Sequence, residues 1–213
     1  ATCAGLGYDH FQWFEADPQA ASTSFVDEIE NLFDGVEDTE AMIAVNDDVI
    51  VVTFRGTKEA MQDWSANLKV AGKPEPIEWG LNRAGLSVHS GFKLAVDSVW
   101  GGENGMYSTI KKLYNEKGKN RKLFLTGHSL GGALATVTAA HLMFVDDMDI
   151  AAVYPIGSPK VFNDDLAEVF NEHINHGVAM KDKFFRCRNN NDVVTRMPLG
   201  YEHVGTEIYF NQQ

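Results

Sequence analysis

The chain has 213 residues, 44% hydrophobic and 23% charged, enough to bury one sizeable core and too apolar for a disordered chain. Against 18 Lys and Arg stand 30 Asp and Glu, a formal charge of −12, which repels phosphate backbones and argues against nucleic-acid binding and adsorption through a basic patch. No apolar run approaches the roughly 20 residues that span a bilayer, so no transmembrane segment is expected.

Strands alternate with helices throughout, without repeat, low-complexity segment or linker, which predicts a single α/β domain over residues 1–213. Ser24 to Phe33 puts Phe25, Ile29, Leu32 and Phe33 on one helical face behind Ser and Thr capping residues, and is expected to be a helix. Ala41 to Val45 and Val49 to Phe54 are short β-branched runs joined by Asn46-Asp47-Asp48, a hairpin. Lys58 to Leu86 breaks the rhythm: it contains Gly72, Pro74, Pro76, Gly80 and Gly85 together with Trp64 and Trp79, both expected to be exposed. A loop of this length inside a compact domain is usually a lid or binding loop, so a substrate cover is expected beside Thr57.

Ser90 to Trp100 and Met106 to Tyr114 read as helices interrupted by Gly101-Gly102. Lys122 to Thr126 is a strand, Ser129 to Val145 a helix apolar on most faces and therefore buried, and Ile150 to Ile156 a second buried strand. A helix over Asp164 to Ile174, a core strand at Phe184 to Cys187 and a short edge strand at Glu207 to Phe210 complete the pattern. Cys3 and Cys187 allow one bridge at most and belong to no Cys/His ligand cluster. The start at Ala1 lacks an initiator Met and a basic-then-apolar leader, and leaves open whether a signal peptide has been removed; secretion is the expectation carried forward over the cytoplasm.

The chemistry concentrates where the strand Lys122 to Thr126 runs through Gly127-His128-Ser129-Leu130-Gly131-Gly132 into a helix. GxSxG alone is a weak signal. Between a strand and a helix it marks a turn so tight that the serine exposes its hydroxyl, while glycines remove Cβ atoms that would clash. The competing reading is a Gly-rich turn with Ser129 as an ordinary helix cap.

A serine nucleophile needs a base, and the base a carboxylate; with this elbow the chain order is serine, acid, histidine. His203, in a loop after the core strands, is the candidate base, and Asp192, after the strand ending at Cys187, the candidate acid. His128 points away from its neighbour Ser129, and both His128 and His89 read as buried, hydrogen-bonded residues. Two backbone N–H groups are needed for an oxyanion hole. Leu130 supplies one, and Thr57, just beyond the strand Val49 to Phe54, the other.

With these residues in place the chain resembles the class 3 (fungal-type) lipases of the α/β-hydrolase superfamily over nearly all its length. The resemblance rests on Thr53-Phe54-Arg55-Gly56-Thr57, Val88-His89-Ser90-Gly91-Phe92, Thr126 to Ala133, Gly157-Ser158-Pro159-Lys160-Val161, Asn191-Asp192-Val193-Val194 and Tyr201 to Glu207, all in family order. It implies an α/β-hydrolase fold with a mostly parallel central sheet flanked by helices, and a Ser129–Asp192–His203 triad with a Thr57 and Leu130 hole. It also implies no metal or organic cofactor, and a short amphipathic lid helix at about 58–70 anchored by Trp64, with Met61 and Leu68 on its apolar side.

The expected function is carboxylic ester hydrolysis, foremost triacylglycerol lipolysis, on an ester or lipid substrate at a lipid–water interface. Soluble-ester or feruloyl-type esterases and phospholipid or diacylglycerol acyl hydrolases are alternatives on the same scaffold. A non-catalytic binding module is the remote one, since all three triad residue types are present.

Overall fold

The computed structural model describes residues 28–33 (backbone alone), 39–56, 72–102, 105–118 and 120–211. Thr57, the expected lid with Met61, Trp64 and Leu68, and Cys3 lie outside these residues.

Among the described residues a seven-stranded sheet organises the chain, in the order β1 (Glu28–Phe33), β2 (Glu40–Val45), β3 (Val49–Phe54), β6 (Lys122–His128), β7 (Ile150–Ile156), β10 (Phe185–Asn189) and β11 (Thr206–Phe210). β2 (Glu40–Val45) and β3 (Val49–Phe54) form the expected hairpin, whose turn is held by Asn46 Oδ1 accepting the N–H groups of Asp48 and Val49, both at 2.8 Å. β6 (Lys122–His128), β7 (Ile150–Ile156), β10 (Phe185–Asn189) and β11 (Thr206–Phe210) add to β3 in parallel. Strands buried on both faces need near-continuous apolar runs, and Leu123 and Leu125 of β6 with Ile150 and Val153 of β7 are fully buried.

β1 (Glu28–Phe33) corrects a sequence expectation. These residues form an edge strand antiparallel to β2, pairing Glu28 with Val45 and Phe33 with Glu40, where a helix was expected. Phe25, Ile29, Leu32 and Phe33 fit a helical face over residues 24–33, of which 24–27 lie outside the described residues, but ten residues are too few for periodicity alone to decide. The open edge of β2 offers a full ladder of backbone hydrogen bonds, and that tertiary pairing overrides local pattern.

Four helices flank the sheet among the described residues: α1 (Ser90–Trp100), α2 (Met106–Tyr114), α3 (Leu130–Asp146) and α4 (Asp164–Glu172). α3 is apolar on nearly every face because it is buried on nearly every face, packing on β3, β6 and β7 and against α1. α4 starts at Asn163, whose side chain accepts from Leu166 N at 3.2 Å, with Asp164 and Asp165 in the first turn favouring the positive helix end. The same Asn163 side chain accepts from Ser87 N and donates to Gly85 O, tying the helix to β5 (Ser87–His89).

Within the expected loop, β4 (Pro74–Pro76) pairs antiparallel with β5. Trp79, expected to be exposed, is 6% exposed: it meets His141 edge-on at 5.8 Å and stacks on Phe144 at 6.3 Å. One large ring in a Pro- and Gly-rich segment gains most by folding back onto the α3 surface, and sequence spacing carries no sign of that contact. A two-residue hairpin of β8 (Ile174–Asn175) and β9 (Val178–Ala179) follows α4 and also escaped the pattern.

Candidate active site

Parallel strands point their carboxyl ends one way, and in open α/β sheets the binding crevice lies there. Ser129 directly follows β6, Gly157 directly follows β7, and Asp192 lies in the turn after β10, so Ser129 and Asp192 share that end of the sheet. Leu130 is the first residue of α3, where a backbone N–H has no acceptor within the helix.

Ser129 has φ 54° and ψ −122°, although it is neither Gly nor Asn, and it is 6% exposed. An ordinary capping serine sits in the β region and bonds its hydroxyl to the first turn. Ser129 does neither: its side chain makes no cap hydrogen bond, and its N–H is instead fixed to Ile156 O at 2.8 Å. The simple-cap reading fails on this geometry. A backbone held in such a region costs about 1–3 kcal/mol and persists where the surroundings impose it.

The surroundings do impose it. A Cβ on Gly127 would overlap the backbone of Gly131, and one on Gly131 would overlap the Phe54 carbonyl; on Gly132 it would stand 2.8 Å from Ser158 Cβ. Rigid backbone cannot move aside as a side-chain tip can. Gly131→Ala is therefore expected to cost about 3 kcal/mol or more and to lower the unfolding midpoint by roughly 6 °C or more. Gly101→Ala, where a Cβ meets nothing within 4 Å, is the control and should change little; differential scanning calorimetry on both checks it.

Asp192 is held by its own loop. Its Oδ1 accepts Val194 N–H at 3.0 Å and its main-chain oxygen accepts Thr195 Oγ1 at 2.9 Å. Its Oδ2 lies only 2.6 Å from where a Cβ of Gly157 would stand, and the Nε2 of His128 lies 3.5 Å from the same point. Gly157, at φ 58°, is thus the floor beneath the carboxylate. His128 is half-buried beside it, and burial pushes its imidazole below the usual value while Asp192 pulls the other way. His89, as expected, is buried, its ring 4.4 Å from that of Phe92 and 5.2 Å from that of Tyr201.

His203 departs from expectation. No hydrogen bond among the described residues joins it to Asp192 or Ser129; its Nε2 lies 2.6 Å from Thr195 O. A carbonyl only accepts, so Nε2 carries the proton and has no lone pair to take one from a serine. Burial pushes this imidazole down to about 4, and the charges of Arg186 and Lys160 act in the same direction. In this placement His203 has no hydrogen bond to a carboxylate among the described residues, and it pins the Asp192 loop through Thr195. His10 lies outside the described residues.

The His203 shift has a sign that can be tested. Its folded value lies below the reference 6.5, so the unfolded chain takes up the proton first. The stabilisation is complete above about pH 6.5 and is lost as pH falls through about 4. An NMR titration should place the His203 midpoint near pH 4, and urea midpoints should fall across that window; a midpoint near 6.5 would contradict the burial seen here.

Gly157 enters the sequence reading only as the first residue of a matching segment, with no role, and Thr195 and Arg186 are not singled out there. Gly157 directly after a buried strand was the available signal; the other two depend on loop geometry that spacing does not reveal.

The family described as Lipase (class 3) matches residues 51–202. The chain belongs to the class 3 lipase family. Curated relatives of the chain include a secreted mono- and diacylglycerol lipase of Fusarium solani, 32% identical over 165 residues, covering 76% of the chain and 44% of the relative. A lipase of Rhizomucor miehei is 28% identical, covering 82% and 46%, and a phospholipase A1 of Oryza sativa is 31% identical, covering 75% and 42%. The chain thus spans less than half the length of these relatives. Among solved structures, a Rhizomucor miehei lipase–propeptide complex superposes with TM-score 0.78 at 24% identity, covering 99% of the chain and 64% of the other. Lipase II from Rhizopus niveus does so with TM-score 0.78 at 20% identity, covering 97% and 76%. The mostly parallel sheet flanked by helices is the α/β-hydrolase fold.

Proposed function

We propose that this lipase-family chain is a carboxylic ester hydrolase, foremost a triacylglycerol lipase, acting through an acyl-enzyme on Ser129. The observation that carries the reading is the strained, uncapped Ser129 at the β6–α3 elbow. A hydroxyl freed from capping and set beside the N-terminus of a buried helix is where an acyl carbonyl would meet both nucleophile and oxyanion donors.

In this reading Ser129 attacks the ester carbonyl, and the N–H groups of Leu130 and Thr57 hold the oxyanion. An imidazole oriented by Asp192 takes the serine proton and passes it to the leaving alcohol; water then repeats the cycle to release the acid. His203, the one histidine that follows Asp192 in the sequence, would serve only after its ring left Thr195 O and turned to the carboxylate. In the placement described it is a positioning residue, and His203→Gln, which keeps a donor for Thr195 O but cannot take a proton, separates the two roles. Retained hydrolysis fits positioning; a loss of about 10⁴-fold would make His203 the base.

Segment 58–70, with Met61, Trp64 and Leu68, is proposed as an amphipathic lid, which favours long acyl chains at a lipid–water interface. The relatives named as acylglycerol lipases support that choice, while the one named as a phospholipase A1 supports acyl hydrolysis of phospholipids as the second reading. A p-nitrophenyl ester series of increasing chain length, with emulsified triacylglycerol and phospholipid vesicles in parallel, tests it. Rates rising with chain length and on the triacylglycerol emulsion support the lipase reading. Activity confined to short soluble esters would replace it with an esterase.

A further inference from the structure

On a chain of charge −12, four cations converge on one cleft of about 220 Å³ at the β10–β11 edge of the sheet. Arg186 and Arg188 come from β10, Lys160 from the segment after β7, and Arg196 from the turn after Asp192. Thr195, His203 and Glu207 complete the lining.

Among the described residues, the carboxylates paired with these cations do not balance their charges. Glu207 takes Arg186 at 2.8 Å and Arg188 at 3.1 Å, and Glu202 reaches Lys160 at only 3.4 Å. Four cations less two carboxylates leave two positive charges, and Arg196 has no ion pair among the described residues. The Arg186 side chain is only 10% exposed, and its buried Nε finds no acceptor among those residues. A buried guanidinium with an unsatisfied donor is costly to leave so. His203, facing the same cleft, registers the imbalance: Arg186 and Lys160 disfavour its charged form and Glu207 alone of the cleft carboxylates favours it.

We propose that this cleft binds a phosphate-type oxyanion, as a free ion or as a lipid phosphomonoester headgroup, held by Arg186, Arg196 and Lys160. Planar guanidinium groups match tetrahedral oxyanions with paired, charge-assisted hydrogen bonds, and a lysine adds a point charge. The site is separate from the proposed ester-cleaving machinery and stands or falls without it. It borders that machinery at two residues: Thr195, whose hydroxyl bonds the Asp192 main chain and whose carbonyl holds His203, and His203 itself.

The test is a titration of the full chain with inorganic phosphate at constant ionic strength, followed by calorimetry and by the NMR signals of His203. Binding should be saturable, weaken about tenfold or more in Arg196→Gln and in Lys160→Gln, and move the His203 midpoint upward from about 4 as the anion offsets the cations. Co-sedimentation with phosphatidylcholine vesicles, with and without phosphatidic acid, distinguishes the source. Phosphate binding without vesicle binding assigns a free anion, and phosphatidic-acid-dependent sedimentation lost in both variants assigns a headgroup. No saturable binding to either, or binding unchanged in both variants, overturns the proposal.

Discussion

Ser129→Ala is expected to lower ester hydrolysis by on the order of 10⁶-fold, leaving what positioning and the oxyanion donors supply alone. The fold should survive, because the hydroxyl makes no cap bond whose loss would be felt, and Ala fills the same volume at a site 6% exposed. The backbone strain stays, since Ala at φ 54° has the same Cβ. Ser129→Gly relieves it. That variant should be equally inactive yet unfold at a higher temperature than Ser129→Ala, by the equivalent of about 1 kcal/mol net of glycine's greater freedom when unfolded. Matched kinetic and calorimetric measurements on both variants check the pair. A Ser129→Ala protein with near-normal turnover ends the proposed mechanism.

Asp192→Asn carries the second large effect, a loss of about 10⁴-fold in turnover. The amide keeps an oxygen for Val194 N–H, and the main-chain bond to Thr195 Oγ1 does not depend on the side chain, so the loop should hold its shape. What disappears is the negative charge that orients an imidazole and stabilises its protonated form. The loss should fall on kcat, with KM little changed, and the unfolding midpoint should move little. A loss confined to stability, with kcat intact, would make Asp192 an ordinary turn residue in an Asn-rich loop.

The residues that declared themselves in the sequence are those whose chemistry is local. The elbow was legible because glycines at 127, 131 and 132 have one reason to cluster between a strand and a helix, and the overlaps their Cβ atoms would make are that reason. The core strands and α3 were legible because burial on both faces leaves only apolar residues to use. Residues 28–33 pair as a strand because the apolar spacing of the ten residues 24–33 is too short to hold a helical period against the open edge of β2. Trp79 was misread because its partners, His141 and Phe144, lie more than sixty positions away in the chain.

His203 shows the limit most clearly. Chain order and loop position select it as the base, yet both are statements about sequence, whereas the proton-accepting nitrogen is decided by which carbonyl or carboxylate the ring meets. Here it meets Thr195 O. Asp192 needed the same kind of information, and the carboxyl ends of β6, β7 and β10 supply it by setting Ser129, Gly157 and Asp192 together.

The central claim is that Ser129 is a reactive nucleophile, and covalent labelling tests it most directly. Incubation with a fluorophosphonate followed by intact-mass and peptide mass spectrometry should give one adduct, on Ser129, absent from Ser129→Ala and forming in parallel with loss of ester hydrolysis. Hydrolysis that persists while Ser129 stays unlabelled, or an adduct on another residue that accounts for inhibition, would contradict it.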